Sequence, residues 1–162
     1  MKEVSEQGAF LQLSALCAQA EHCQHEMLEK MRRWELSDEA QARVMARLLE
    51  GRFVDDERYA RAFVKDKIRY NKWGRRKVEQ ALWQKRIDES IRQRALDEVD
   101  DKEYLSVLRP LLQQKRRSTR AASDYELNQK LARFALGRGF TYDLIRQCLD
   151  VDEEIDADET DC

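Results

Sequence analysis

An apolar pattern repeats three times along this chain and restricts the possible folds more than any other feature. Four apolar positions of the first copy match four of the second at an offset of 51 residues, and those of the third follow at an offset of 53. The matched positions are Met27, Met31, Leu36 and Ala40; Val78, Leu82, Ile87 and Ile91; and Leu131, Ala135, Phe140 and Leu144. A repeat of this length indicates a protein built by stacking one small unit.

Each copy contains the same helical signals. The apolar spacing of i, i+3 and i+4 predicts a helix, and a short polar residue that could cap a second helix follows it. These capping candidates are Ser37, Asp88 and Thr141. Acidic starts at Asp55 and Asp100 predict a further helix before the second and third copies, and no strand-like alternation occurs. Three helices per copy are therefore expected.

These signals predict an all-α fold, an elongated and curved array of three tandem three-helix repeats. The expected repeats span residues 9–53, 54–98 and 99–150. The acidic segment 151–162 is expected to be disordered, because it offers few large apolar side chains to bury. Pro110 is expected to kink or break its helix near Arg109, and a basic loop is expected from Lys115 to Arg120.

The sequence lacks the main signals of membrane and secreted proteins. Charged residues make up 38% of the 162-residue chain, and no apolar run approaches the roughly 18 residues of a membrane span. The N-terminus lacks a secretory signal pattern, and the four cysteines form no C-x-x-C pair. We expect a reduced, cytoplasmic, monomeric protein.

Catalytic and cofactor signals are missing from the sequence. It has no phosphate-binding loop, no dinucleotide fingerprint and no nucleophile elbow, so we expect neither an enzyme nor a cofactor. His22 and His25 lie near Cys17 and Cys23, but their spacing fits no known metal site, and no metal is expected. The adjacent Asp55 and Asp56 are explained by their position at a helix start.

Positive charge is concentrated in the middle of the chain. Residues 58–94 carry 13 basic and 4 acidic side chains, whereas residues 150–162 carry 8 acidic and no basic ones. Five cations of this region fall on one side of a predicted helix, which favours a binding role over an ordinary solvated face. This basic stripe consists of Arg58, Arg61, Lys65, Arg69 and Lys72.

The next helix begins at Gly74 with three cations, where the helix dipole prefers anions. These cations are Arg75, Arg76 and Lys77. Free N–H groups at such a start would suit a phosphate or a carboxylate of a partner. The flanking Trp73 and Trp83 could stack on a base or anchor in a protein pocket, but core packing is the favoured interpretation for each.

A second basic patch is predicted farther along the chain, with a solvated loop as an equally good explanation. It contains Lys115, Arg116, Arg117 and Arg120. The third helices, in contrast, are acidic: residues 88–98 carry two basic and four acidic side chains. A repressor that reads operator sequence with its third helix is therefore not expected.

Three segments resemble the RecX regulatory family. The most specific is the stretch from Gly51 to Phe63, with the sequence GRFVDDERYARAF. Trp73-Gly74 and the turn from Leu82 to Ile87 follow, and the third segment is KLARF, residues 130–134, with GRGF, residues 137–140. The family often has a glycine where Gly139 lies, whereas Glu35 and Arg86 occupy the corresponding positions of the other copies.

This resemblance implies binding in the groove of the filament that RecA forms on single-stranded DNA. It also implies inhibition of RecA ATP hydrolysis, strand exchange and filament growth or stability, with effects on recombination, DNA repair and the SOS response. The expected partners are RecA and single-stranded DNA, with double-stranded DNA as a further candidate. The alternative is a general nucleic-acid-binding helical protein that acts without RecA.

Overall fold

The computed structural model describes residues 3–150, which form nine α-helices and no β-strand. In chain order these are α1 (Glu6–Gln19), α2 (Gln24–Arg33), α3 (Asp38–Glu50), α4 (Asp56–Arg69), α5 (Arg75–Gln84), α6 (Glu89–Asp97), α7 (Asp101–Ser118), α8 (Asp124–Gly137) and α9 (Tyr142–Cys148). They follow one another in three groups of three, so the predicted all-α repeat fold is confirmed. The predicted disordered tail, residues 151–162, lies outside the described residues.

The second helix of each group ends in the same turn. An amide N–H donates to the carbonyl oxygen five residues earlier, which closes a Schellman-type turn. The three bonds join Leu36 to Met31, Ile87 to Leu82 and Phe140 to Ala135, at 3.1–3.2 Å. The residue before each donor has positive φ: Glu35 (58°), Arg86 (59°) and Gly139 (93°). The two copies that lack glycine therefore keep the turn, at a cost of roughly 1–2 kcal/mol for a side chain in this conformation.

The predicted capping bond forms at Ser37 but not at Thr141, and Asp88 accepts a 2.7 Å hydrogen bond from the Ser90 hydroxyl group. Ser37 Oγ accepts a 3.1 Å hydrogen bond from the Ala40 amide, and Asp100 Oδ1 accepts one of 3.0 Å from the Glu103 amide. Thr141 lies at the start of α9, but its side chain makes no capping bond, so that prediction was wrong. Its backbone carbonyl still accepts the Ile145 amide, so α9 begins without help from the hydroxyl group.

Two compact units divide the described chain. The first comprises residues 3–63 and 82–95, and the second comprises residues 64–81 and 96–150. Helices α4 and α5 each contribute residues to both units, so these units do not coincide with the repeats. None of the described helices is both long and apolar enough to cross a membrane.

The core of the first unit forms where α1 and α2 pack on α3. Three of its buried side chains are methionines, whose flexible, unbranched chains fill irregular gaps between helices. The buried residues are Ala9, Leu13, Met27, Met31, Val44, Met45, Leu48 and Val54. Phe10 and Phe53 close one side of this core in an edge-to-face contact with ring centroids 5.8 Å apart.

In the second unit, α7 packs against α8 and α9. Leu105, Leu108 and Leu112 are buried along one stripe of α7, at the spacing of a helical face. Leu131 and Ala135 of α8, and Phe140 in the turn between α8 and α9, are fully buried as well.

Helix α7 runs without a break through Pro110, so a break near Arg109 does not occur, and the alternative of a kink there stays a prediction. Pro110 is exposed, as is Ser106 four residues earlier, and the carbonyl oxygen that loses its helical partner can be hydrated. The basic loop was predicted to begin at Lys115, but residues 115–118 form the last turn of α7, so the loop begins after Ser118. At a helix C-terminus, cations are favoured by the dipole.

Candidate nucleic-acid interface

The predicted basic stripe divides between the two units. Its placement on one helix was wrong for Lys72, because α4 ends at Arg69 and Lys72 lies in the following turn with a φ of 57°. The first member of the stripe is bound within the protein. The Arg58 guanidinium donates 2.7 Å from Nε to Glu21 and 3.0 Å from Nη2 to the Arg52 carbonyl oxygen. These bonds stabilise the α3–α4 turn, a structural role of Arg58 that was not predicted from the sequence. Arg61 is exposed beside the ion pair between Arg94 and Glu57, along a shallow groove.

Three further members of the stripe lie together in the second unit. Lys65, Arg69 and Lys72 are exposed and line one groove with residues of α7. The groove contains apolar side chains, including Ile68. It also contains the carboxylates of Asp66 and Glu103, so its lining is mixed and not purely basic.

The start of α5 is closed by the turn between α8 and α9. The Gly74 amide donates 2.8 Å to the Arg138 carbonyl oxygen, and the Arg76 amide donates 3.0 Å to that of Gly139. A Cβ atom on Gly74 would lie less than 3.0 Å from the backbone of Phe140. The expectation of free N–H groups was therefore wrong for these two amides, since backbone carbonyls already occupy them.

The side chains at this helix start remain cationic, although several have partners. Arg75 donates 2.8 Å from Nη2 to Asp97. Lys77 and Lys67 place their ammonium groups 5.0 and 5.2 Å from the centre of the Trp73 ring. Such cation–π contacts keep both lysines beside the half-buried indole without neutralising them. Arg76 is exposed.

Two exposed aromatic residues were missed or misjudged from the sequence. Tyr70 is 71% exposed at the turn after α4, next to the cations of the stripe, and was not predicted as a candidate site residue. Trp83 is 63% exposed, which contradicts the preference for core packing. It lies one residue beyond the buried Leu82, a rotation of about 100° away from the core. A helical wheel would have revealed this position.

The second basic patch lies at the C-terminal end of α7 and just beyond it. The Lys115 ammonium lies 4.9 Å from the centre of the Phe134 ring, and Arg116 donates 3.0 Å to Asn128. Arg117 and Arg120 are exposed. The patch therefore remains positively charged, but the helix dipole explains part of it without any ligand.

The aspartates and the cysteine that were considered for acid–base catalysis or metal binding have structural roles. Asp55 caps α4 through its Oδ1 atom, and Asp56 accepts a 2.9 Å bond from the Gln24 amide. Burial raises the pKa of Cys23 to about 12, which keeps its thiol protonated at neutral pH. Among residues 3–150, no group of three histidine, cysteine or acidic side chains could hold a metal ion.

Family models match two of the three repeats. The second three-helix domain of RecX matches residues 55–96, and the third matches residues 101–149. The regulatory protein RecX of Bacillus cytotoxicus is 26% identical over 96% of this chain and 56% of its own length. That of Lactobacillus gasseri is 32% identical over 83% of this chain and 50% of its own length. The chain thus spans about half the length of the curated relatives it matches.

Solved structures share the fold. The RecX crystal structure from Lactobacillus salivarius aligns with a TM-score of 0.78 at 19% identity, covering 88% of this chain and 93% of that one. A second crystal structure of regulatory protein RecX gives a TM-score of 0.81 at 19% identity, covering 88% and 72%. With the two domain matches and the relatives above, these results show that the chain belongs to the RecX family.

Proposed function

We propose that this chain is a regulator that binds the filament formed by RecA on single-stranded DNA. Binding would inhibit ATP hydrolysis, strand exchange and filament growth or stability, and so modulate recombination, DNA repair and the SOS response. Membership of a family whose curated members are named regulatory proteins supports this role. The proposal includes action as a cytoplasmic monomer without catalysis of its own.

The DNA-binding part of this proposal is supported by the density of cations at the α4–α5 turn. Residues 64–81 carry seven basic and two acidic side chains. Three of these cations line one groove, and Arg76, a few residues farther along the chain, is exposed. Cations in such number favour a polyanion, because each phosphate contact releases a condensed counterion.

Inhibition requires that the chain bind one filament state more tightly than the others. A ligand shifts a conformational equilibrium only by its differential affinity for the two states. A chain that contacts DNA phosphates and adjacent protomers at the same time would restrain the movement between protomers that accompanies hydrolysis. Such a mechanism needs rigid binding surfaces and no catalytic group, which agrees with the structural roles of Asp55 and Asp56.

The patch at the end of α7 is the second proposed DNA contact. Arg117 and Arg120 are exposed there, and Lys115 and Arg116 lie beside them. Its support is weaker than that of the α4–α5 turn, because a helix C-terminus attracts cations for its own stability.

The alternative function is general nucleic-acid binding without RecA. The same cations favour it, since phosphate contacts do not depend on the partner protein. The two functions differ in one respect: a filament regulator gains affinity from the protein component, and a general binder loses affinity when protein already covers the DNA.

Equilibrium binding of the fluorescently labelled chain separates these functions. Its affinity would be measured for bare single-stranded DNA and for the same DNA coated with RecA and a non-hydrolysable ATP analogue. The proposal predicts an affinity for the filament at least about tenfold higher, equivalent to roughly 1.4 kcal/mol. Equal or weaker binding to the filament would reject the regulator and favour the general binder.

A further inference from the structure

Trp83 lies on the surface of the first unit, and the fold does not require a tryptophan there. Its side chain is 63% exposed, whereas Leu82 before it and Ile87 after it are buried. Large exposed aromatic side chains are costly to hydrate and are enriched at the centres of protein interfaces.

The other repeats show what the fold demands at this position. The offset of 51 residues places Arg32 there in the first repeat, and that side chain is exposed. The offset of 53 places Leu136 there in the third repeat, and that side chain is half-buried. Because the first repeat has an exposed, charged residue at this position, the three repeats do not share a packing role there.

The surroundings of Trp83 carry both signs of charge. A shallow groove beside the indole is lined by Trp83, Gln84, Arg86, Ile87, Asp88, Glu89 and Arg92. Arg86 is exposed, and Arg92 is held in place by a 2.7 Å bond from Nη1 to the Ile87 carbonyl oxygen. Asp88 and Glu89 are exposed in the same groove.

This combination fits a protein partner better than a nucleic acid. A DNA strand presents one sign of charge, and its phosphates would meet the carboxylates of Asp88 and Glu89. A protein surface can present an apolar recess for the indole, with an acidic side chain for Arg86 and a basic one for Glu89. An aromatic anchor within a polar rim, whose charges are complementary to those of the partner, is typical of protein interfaces.

We infer that Trp83 anchors this chain to a protein surface, with Arg86 pairing to an acidic side chain beside it. The inference rests on the proposed function and assigns the partner as a RecA protomer of the filament. It separates two surfaces: the cations of residues 64–81 contact DNA, and the Trp83 groove contacts protein.

The experiment compares the unmodified chain with Trp83→Ala, Trp83→Phe and a matched control, Leu11→Ala. Leu11 is also a large exposed apolar residue of the first unit, at 56% exposure. Each protein is assayed for binding to RecA-coated DNA and to bare single-stranded DNA, and its melting temperature is compared with that of the unmodified chain.

For Trp83→Ala we expect filament binding about 30-fold weaker or more, with bare-DNA affinity and melting temperature unchanged. Trp83→Phe should lose much less, and Leu11→Ala should match the unmodified chain. Unchanged filament binding of a folded Trp83→Ala variant would overturn the anchor and leave the proposed function standing. An equal loss on bare DNA would show a nucleic-acid contact and would also overturn it. Failure of the unmodified chain to bind the filament would reject the proposed function itself, and the assigned partner with it.

Discussion

The carbonyl oxygen of Gly139 accepts a 3.0 Å hydrogen bond from the amide of Arg76. This bond and its neighbour from Gly74 join the start of α5 to the α8–α9 turn, two segments more than 60 residues apart in the sequence. The close approach depends on glycine on both sides, because a Cβ atom on either Gly74 or Gly139 would lie less than 3.0 Å from the opposing backbone.

Gly74→Ala should therefore destabilise the protein by about 2–3 kcal/mol, as expected for forced overpacking against backbone atoms. Urea unfolding would measure the change in free energy of unfolding. Arg76→Ala, at an exposed position two residues later, is the control and should change stability by less than about 0.5 kcal/mol. Equal stability of the two variants would show that the backbone contact is absent or easily relaxed.

Glu35→Gly should raise the free energy of unfolding by about 0.5 kcal/mol. Glu35 has a φ of 58°, and relief of that conformation outweighs the extra entropy that glycine gives to the unfolded chain. Thermal unfolding would measure the gain. Ala42→Gly, at an exposed position inside α3, should instead lower stability by about 1 kcal/mol. A loss of stability in Glu35→Gly would mean that its turn does not carry the inferred strain.

Removing the cations of the α4–α7 groove should weaken the salt dependence of DNA binding. For Lys65→Ala with Arg69→Ala and Lys72→Ala, the slope of log K against log salt should become shallower by about 2, if each cation contacts one phosphate of a single strand. The double variant Arg32→Ala, Arg33→Ala removes exposed cations from α2 and should keep the original slope. The same slope in both variants would place the DNA contact elsewhere.

Alkaline pH should destabilise the protein through Cys23. Burial raises the pKa of its thiol from 9.0 to about 12, so above pH 9 the unfolded chain loses a proton that the folded chain retains. The stability that this buried, protonated thiol contributes is fully present below pH 9. Between pH 9 and about pH 12, the free energy of unfolding then falls by roughly 1 kcal/mol per pH unit. Urea unfolding at pH 8, 9, 10 and 11 would show a shallower decline for Cys23→Ala. An identical decline would contradict this assignment.

The repeat could be predicted from the sequence, because the spacing of apolar residues along a helix is a local property. Val78, Leu82 and Ile87 are buried as their spacing predicts, and Ser37 caps α3. The Gly74 contact could not be predicted, because it joins backbone atoms of distant segments and leaves no periodic signal. Similarly, no local pattern distinguishes Arg58, which bonds to Glu21 and to backbone carbonyls, from the exposed cations of the same stripe.

Regulation of the filament can be tested by measuring the rate of RecA ATP hydrolysis on single-stranded DNA as this chain is added. Its binding to the same DNA would be measured in parallel. The proposal predicts half-maximal inhibition at a concentration at least about tenfold below that needed to cover the DNA. It also predicts weaker inhibition by the folded variant with Arg75, Arg76 and Lys77 replaced by alanine. Inhibition that appears only when the DNA is saturated, or no inhibition at all, would contradict regulation directed at the filament.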